Sequence, residues 1–170
     1  MDMVATRVTA RGGRLEELYE RHAPDAVRLA YLITGDRELA RDVAQDAFVR
    51  VAGRFGHRRY PDAFAAYLRR TVVNLCASQF RRRRVERAYV QTHGSAPQLA
   101  VEQPDVGTRD EIRQALRRLP VRQRTAIVLR YFEDLPEDEV AAAMRCSPSA
   151  ARSLVSRGME TLRTIVGSER

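Results

Sequence analysis

The sequence contains no lysine and no tryptophan, and it has only two cysteines and three histidines in 170 residues. Cys76 and Cys146 are far apart and form no CxxC pair, so neither a disulfide framework nor a zinc knuckle is expected. No segment is apolar enough to span a bilayer, and the N-terminus lacks the apolar core of a signal peptide. We therefore predict a cytoplasmic protein with two buried thiols, no membrane insertion and no cofactor.

Because lysine is absent, arginine carries the whole positive charge, and the net charge is +8. The charge is unevenly distributed along the chain. Residues 57–90 contain nine arginines and two acids, a balance of +7, whereas residues 1–56 contain nine of each. Residues 91–108 carry −2, and residues 109–170 carry twelve arginines against nine acids, or +3. Positive charge concentrated in one short block predicts a surface for a polyanion.

The apolar residues follow helical spacing nearly throughout, and no segment alternates as a strand would. Helices are predicted at about 14–33, 37–53 and 63–87, with Asp36 and Asp62 as N-caps of the second and third. Gln91–Thr108 contains two prolines, two glycines and no arginine, which is typical of a linker. We predict an all-α chain with an N-terminal tail (1–13), two small helical domains (14–90 and 109–170) and a flexible linker (91–108).

The segment "EDEVAAAMRCSPSAARSLVSR" has the pattern of a helix-turn-helix, in which the second helix enters the major groove of DNA. Ser147 is the predicted N-cap of the second helix, with Pro148 at its first position, and Arg145 occupies the turn position where glycine is usual. The predicted DNA-facing residues are Ser149, Arg152, Ser153, Ser156 and Arg157. The alternative is an ordinary helical hairpin with a solvated charged face.

Four consecutive arginines, in "QFRRRRVER", end the long helix of the first domain. Because four successive residues surround a helix, they are better suited to phosphate contacts than to a salt-bridged face. A solvated helix end, with cations near its negative pole, is the alternative. The predicted nucleic-acid contacts on this helix are Arg69, Arg70, Asn74, Arg81, Arg82, Arg83 and Arg84, with His57 and Tyr60 as candidates in the preceding loop.

Two parts of the chain resemble a known family. "LPVRQRTAIVLRYFEDLPEDEVAAAMRCSPSAARSLVSRGMETLR" resembles region 4 of sigma-70 family RNA polymerase sigma factors, and "YLITGDRELARDVAQDAFVRV" with "FAAYLRRTVVNLCASQFRRRR" is similar to region 2. Two such regions joined by a short linker are typical of the extracytoplasmic-function subfamily. The resemblance implies an alternative sigma factor that binds core RNA polymerase and promoter DNA, and by analogy an anti-sigma partner.

The resemblance also implies roles for individual residues. Asp42, Gln45 and Asp46 match positions that dock on the clamp coiled coil of core polymerase. The loop that contains His57, Arg58, Arg59 and Tyr60 matches the segment that captures a flipped base of the −10 element, and Asn74 matches the asparagine of the −10-reading helix. Arg152, Ser153 and Arg157 match recognition-helix positions for the −35 element. The sequence departs from the family at Ser78, Ala150, Ala151 and Leu154.

Two other classes of protein remain as alternatives. An autonomous helix-turn-helix regulator would use the first domain for dimerisation or sensing, and it would bind its operator without polymerase. An enzyme acting on nucleic acid would need clustered carboxylates, and Asp42 and Asp46 have no acidic partners outside their own helix that the sequence reveals. Since no nucleophile–base set or metal cluster is recognisable, we do not expect an enzyme.

Overall fold

The computed structural model describes residues 3–55, 61–93 and 108–167, and these ranges are helical with no strand, as predicted. The α-helices are α1 (Met3–Thr34), α2 (Arg37–Phe55), α3 (Pro61–His93), α4 (Thr108–Arg118), α5 (Val121–Ile127), α6 (Glu137–Met144) and α7 (Pro148–Gly167). A π-helical segment, Val128–Phe132, continues α5 and is called the π-turn below. The side chains of residues 15–54, 63–89 and 111–167 are described.

The boundary between α1 and α2 lies where the sequence predicts it. Gly35 has a φ of +72°, a left-handed conformation that costs glycine nothing, and its N–H donates to the Tyr31 carbonyl at 2.8 Å. Asp36 caps α2 as predicted, because its Oδ1 accepts a hydrogen bond from the Leu39 N–H at 2.9 Å. The start of α1 differs from the prediction, since the helix begins at Met3 and continues through Pro24. The added part includes Gly12 and Gly13, and since glycine disfavours a helix interior, local propensity does not explain the earlier start.

Helix α3 is longer than predicted at both ends. It begins at Pro61, because proline suits a first helical turn whose N–H groups need no partner, so Asp62 lies within the helix. It continues to His93, three residues into the segment predicted as a linker. The other residues of that segment up to 107 lie outside the described residues.

Helices α1, α2 and α3 pack into a bundle around an apolar core. The larger buried side chains of this core are those of Leu29, Ile33, Val43, Val51, Phe64 and Val72. Cys76 is fully buried in this bundle, and burial raises the pKa of its thiol to about 12. Cys146 is only partly buried, so the prediction of two buried thiols is correct for Cys76 and wrong for Cys146.

The remaining helices form a second bundle in which α5 and α7 cross closely. A Cβ atom added to Gly158 would lie 2.7 Å from Cδ1 of Ile127, so glycine allows the two helices to approach. Val140 and Ala151 are buried in this bundle. Ile112 of α4 is 51% exposed, since its helix is covered on one side only by this bundle.

The two bundles contact each other through a buried arginine, Arg124 of α5. Its Nη1 donates to the carbonyl of Ile33 in α1 at 2.7 Å. Its Nη2 donates to the carbonyls of Arg117 and Leu119, at 3.0 and 3.1 Å, and so caps the end of α4. The guanidinium carbon lies 5.9 Å from the ring centroid of Phe80 in α3. One side chain therefore links three helices of both bundles.

Glu133, just after the π-turn, makes a second link between the bundles. Its carboxylate accepts from Arg28 of α1 at 3.2 Å and from Arg69 of α3 at 3.3 Å. Only 9% of the Glu133 side chain is exposed, so the two guanidinium groups replace most of its hydration. Polar contacts therefore join the two bundles directly in this structure.

Candidate functional site

A basic groove lies between α2 and α3, where the sequence predicts nucleic-acid binding. It encloses about 530 Å³. The residues that give the groove its chemistry are Arg50, Arg54, Tyr67, Arg70, Asn74, Arg81 and Arg145. Within α3, Arg70, Asn74 and Arg81 follow helical spacing and therefore lie on one face. Arg145 belongs to the turn of the helix-turn-helix, so both bundles contribute cations to the groove.

Tyr67 gives the groove an aromatic wall. Its hydroxyl accepts a hydrogen bond from Arg54 Nη1 at 2.6 Å, and its side chain is 37% exposed. An exposed ring in a groove lined with arginines can stack with a base while the cations pair with phosphates, the combination typical of single-strand binding. Sequence reasoning missed Arg50 and Arg54. Their spacing of four residues on α2 is the signal that could have found them.

Several of the other predicted arginines have partners within the chain. Arg69 contacts Glu133 and does not line the groove, and Arg82 pairs with Glu86 at 2.9 Å. Arg83 donates to Asp36 at 3.1 Å. Although partial burial would raise the pKa of Asp36, hydrogen bonds from the Leu39 N–H and from Arg83 outweigh it and lower that pKa. Arg83 thus ties α3 to the N-cap of α2.

An acidic patch adjoins the groove. Asp42, Gln45 and Asp46 line a second cavity of about 340 Å³, together with Gln79 of α3. Asp46 also forms an ion pair with Arg50 at 3.4 Å. Leu75 lines both the acidic cavity and the basic groove, so the two surfaces are direct neighbours. The structure therefore brings together the three residues that the family resemblance selected.

Helices α6 and α7 form the predicted helix-turn-helix. The Ser147 hydroxyl caps α7 by accepting from the Ala150 N–H at 3.2 Å, and Pro148 is the first residue of the helix, as predicted. Arg145 has φ 52° and ψ 50°, the left-handed conformation that explains why glycine is usual at this position. The predicted DNA-facing residues Ser149, Arg152, Ser156 and Arg157 are exposed, and Ser153 is half-buried.

Replacing Arg145 with glycine is expected to raise the free energy of unfolding by about 1 kcal/mol, because a left-handed conformation costs any residue with a Cβ atom. Alanine removes the same charge but keeps the Cβ atom, so Arg145→Ala is the matched control and should bring no such gain. Urea denaturation of both variants measures the difference. Equal stabilities of the glycine and alanine variants would contradict the interpretation.

Some predicted site residues, namely His57, Arg58, Arg59 and Tyr60, lie outside the described residues. Among the residues described, no three His, Cys, Asp or Glu side chains are grouped so that they could hold a metal ion. No helix in the described part of the chain is long and apolar enough to cross a membrane.

Comparison with known proteins gives family matches over both bundles. The family "Sigma-70 region 2" matches residues 18–86, and the family "Sigma-70, region 4" matches residues 109–162. An RNA polymerase sigma-E factor of Streptomyces avermitilis is 32% identical, over 91% of this chain and 87% of the relative. The ECF RNA polymerase sigma factor SigM of Mycobacterium tuberculosis is 28% identical, over 98% of this chain and 84% of the relative.

This chain belongs to the sigma-70 family of RNA polymerase sigma factors, in its extracytoplasmic-function group. It is an alternative sigma factor that directs transcription initiation, and proteins of this family are non-catalytic initiation factors. Helices α1 to α3 correspond to region 2 and helices α4 to α7 to region 4.

The folds of two solved structures resemble that of this sigma factor. The sigma factor RpoE of Bartonella quintana, solved in complex with the anti-sigma factor NepR, has a TM-score of 0.73. It is 21% identical, and the match covers 91% of this chain and 98% of that one. CnrH, solved with the cytosolic domain of CnrY, has a TM-score of 0.66 at 21% identity, over 98% and 96% of the two chains. At this identity the likeness establishes the fold alone.

Proposed function

We propose that this sigma factor uses three surfaces to start transcription. The basic groove captures the −10 element of the promoter as a single strand, the exposed face of α7 reads the −35 element in the major groove, and the acidic patch docks on the clamp coiled coil of core polymerase. The observation that carries the proposal is that the groove and the acidic patch adjoin at Leu75. A polymerase bound at the patch would therefore hold the melted strand at the groove.

Capture of the −10 strand is supported by the chemistry of the groove. Unpairing and flipping a base costs a few kcal/mol, and stacking on an aromatic ring with phosphate pairing can offset that cost. Tyr67 supplies the ring, Arg54, Arg70 and Arg81 supply cations, and Asn74 offers an amide for hydrogen bonds to a base. The predicted base-capturing residues His57, Arg58, Arg59 and Tyr60 precede α3 in the chain, and the proposal keeps base capture as their role.

Recognition of the −35 element is supported by the polar face of α7. Ser149, Arg152, Ser156 and Arg157 are exposed on a helix whose opposite side is anchored by Ala151 and Gly158. Arginine can pair with the O6 and N7 atoms of guanine or with phosphates, and serine can form hydrogen bonds with bases or with phosphates. In this proposal α7 lies in the major groove, and α6 supports it from behind.

The docking part of the proposal is tested by removing the exposed carboxylates of Asp42 and Asp46. We expect the Asp42→Asn/Asp46→Asn variant to bind bacterial core polymerase about tenfold more weakly, which corresponds to about 1.4 kcal/mol, because the interface loses two charges. The matched control is Glu16→Gln/Glu20→Gln, which removes two exposed carboxylates at the same spacing from α1. Fluorescence anisotropy with labelled sigma factor measures both affinities. Equal affinity of the aspartate variant and the parent would contradict this role of the patch.

We further propose that an anti-sigma protein regulates this sigma factor. The support is the fold likeness to RpoE, which was solved in complex with the anti-sigma factor NepR. An inhibitor of this kind would be displaced before the acidic patch and the groove engage polymerase and promoter. The proposed site of action is the cytoplasm, where polymerase and chromosome are found.

A further inference from the structure

Arg152, one of the two arginines of the predicted −35-reading face, is held by a carboxylate from the other helix of the motif. Glu137 is the first residue of α6, fifteen positions before Arg152. The Nε atom of Arg152 lies 3.1 and 2.9 Å from the two carboxylate oxygens, and Nη2 lies 2.8 Å from Oε2. The arginine side chain is nonetheless 71% exposed, so its remaining N–H groups face solvent.

This geometry decides which N–H groups of Arg152 stay available. A guanidinium has two edges that can donate a pair of parallel hydrogen bonds, a side edge of Nε and Nη2 and an end edge of Nη1 and Nη2. Glu137 occupies the side edge. The end edge remains for a ligand, and a pair of parallel donors is the arrangement that matches O6 and N7 of guanine.

The pairing also changes the electrostatics at this point of the surface. The hydrogen bond and the charge of Arg152 lower the pKa of Glu137, which therefore stays ionised at neutral pH. An arginine paired with a carboxylate carries little net charge, so it attracts phosphates weakly and releases few counterions when DNA binds. The pair is suited to reading a base edge and poorly suited to holding the DNA backbone.

We propose that Glu137 is a specificity-determining residue, which orients Arg152 so that this arginine reads one guanine of the −35 element instead of pairing with a phosphate. The inference rests on the proposed function, because it requires α7 to lie in the major groove. Glu137 is a positioning residue, since it acts through Arg152. Arg157, which is exposed on the same helix, is left for phosphate contact in this scheme.

The test measures base preference and salt dependence separately. The purified sigma factor, assembled with core polymerase, selects its −35 element from a randomised duplex library. Each position of the selected element is then changed to the other three bases, and the affinity is measured for the parent and for the variants Glu137→Gln, Arg152→Gln and Asp138→Asn. Asp138→Asn is the matched control, because it removes one acid from the same helical turn and Asp138 is exposed.

We expect one guanine position at which the parent and Asp138→Asn lose about tenfold in affinity when the base is changed. At that position Glu137→Gln and Arg152→Gln should lose about twofold or less. On DNA without a −35 element, Glu137→Gln should bind at least as tightly as the parent. Its plot of log affinity against log salt concentration should be steeper by about 1, because Arg152 can then pair with a phosphate.

Two results separate this inference from the function it rests on. In the first, the parent prefers a guanine, and either Glu137→Gln or Arg152→Gln keeps the full preference for that guanine. The role of Glu137 is then overturned, while −35 recognition stands. If the parent selects no −35 sequence at all, the proposed function is overturned together with the inference.

Discussion

Replacing Arg124 with alanine is expected to lower the free energy of unfolding by about 3 kcal/mol, since hydrogen bonds from a charged group contribute about 1.5–3 kcal/mol and their loss leaves buried acceptors unpaired. Arg124 is 6% exposed, and its two terminal nitrogens serve the carbonyls of Ile33, Arg117 and Leu119. The substitution also removes the contact with the Phe80 ring. Three carbonyl groups and an aromatic face would lose their partner at once.

Part of this loss is offset by the cost of burying the charge. Burial, with a smaller effect of the nearby Arg117, lowers the pKa of Arg124, and its Nε has no hydrogen-bond partner among the described residues. Arg122→Ala is the matched control, because Arg122 lies on the same helix and is exposed, and its change should stay within about 0.5 kcal/mol. Guanidinium denaturation of both variants measures the effect. A loss at Arg124 no larger than that at Arg122 would contradict the linking role.

Removing three arginines from the groove is expected to weaken single-stranded DNA binding about 50-fold at 0.15 M salt. Each phosphate contact contributes about −0.7 to the slope of log affinity against log salt concentration, and three such contacts are lost. The variant is Arg54→Gln/Arg70→Gln/Arg81→Gln, which takes cations from both walls of the groove. The ligand is a fluorescent oligonucleotide of about 12 nucleotides bound by the sigma factor with core polymerase, a length within the site sizes of single-strand binding proteins.

The control has the same net charge as the groove variant. Arg21→Gln/Arg122→Gln/Arg163→Gln removes three charges from exposed arginines that do not line the groove. If the groove binds the strand, this control should lose only a few-fold in affinity while the groove variant loses the full amount. Equal losses in the two variants would mean that net charge alone attracts the DNA, and the assignment of the groove would be wrong.

The helix boundaries set by local chemistry could be predicted from the sequence. Gly35 and Asp36 mark the end of α1 and the start of α2, and Ser147 with Pro148 marks the start of α7, because the capping residues act within a few positions of themselves. Arg145 was placed at the turn position where glycine is usual, and the structure shows the left-handed conformation there. These signals need no knowledge of the rest of the chain.

Features that depend on distant parts of the chain could not be predicted. Asp134 after the π-turn has a φ of +50°, although aspartate forces no such conformation, and the π-turn itself has no local signal. The partners of Arg124, Glu133 and Arg152 lie on other helices. Counting charges along the chain cannot show such partners, whereas packing assigns these three side chains to contacts within the chain.

The groove contains both residues that the sequence predicted and residues that it did not. Arg70, Asn74 and Arg81 were predicted because they share one face of a single helix, a property that spacing reveals. Arg54 was missed because its spacing from Arg50 shows only that the two share a face of α2, and the packing of α2 against α3 decides that this face lines the groove. Arg69 was included from its place in the sequence, although its guanidinium contacts Glu133 in the other bundle. DNA contact by the predicted residues stays a prediction.

The central claim is that this chain gives core polymerase a promoter preference, and transcription in vitro tests it most directly. Bacterial core polymerase, with and without the purified chain, is given fragmented DNA from the source genome, and the 5′ ends of the transcripts are mapped. The account predicts discrete start sites that appear only with the chain and share two upstream sequence elements. Transcript ends that are the same with and without the chain, over a range of salt concentrations, would contradict it.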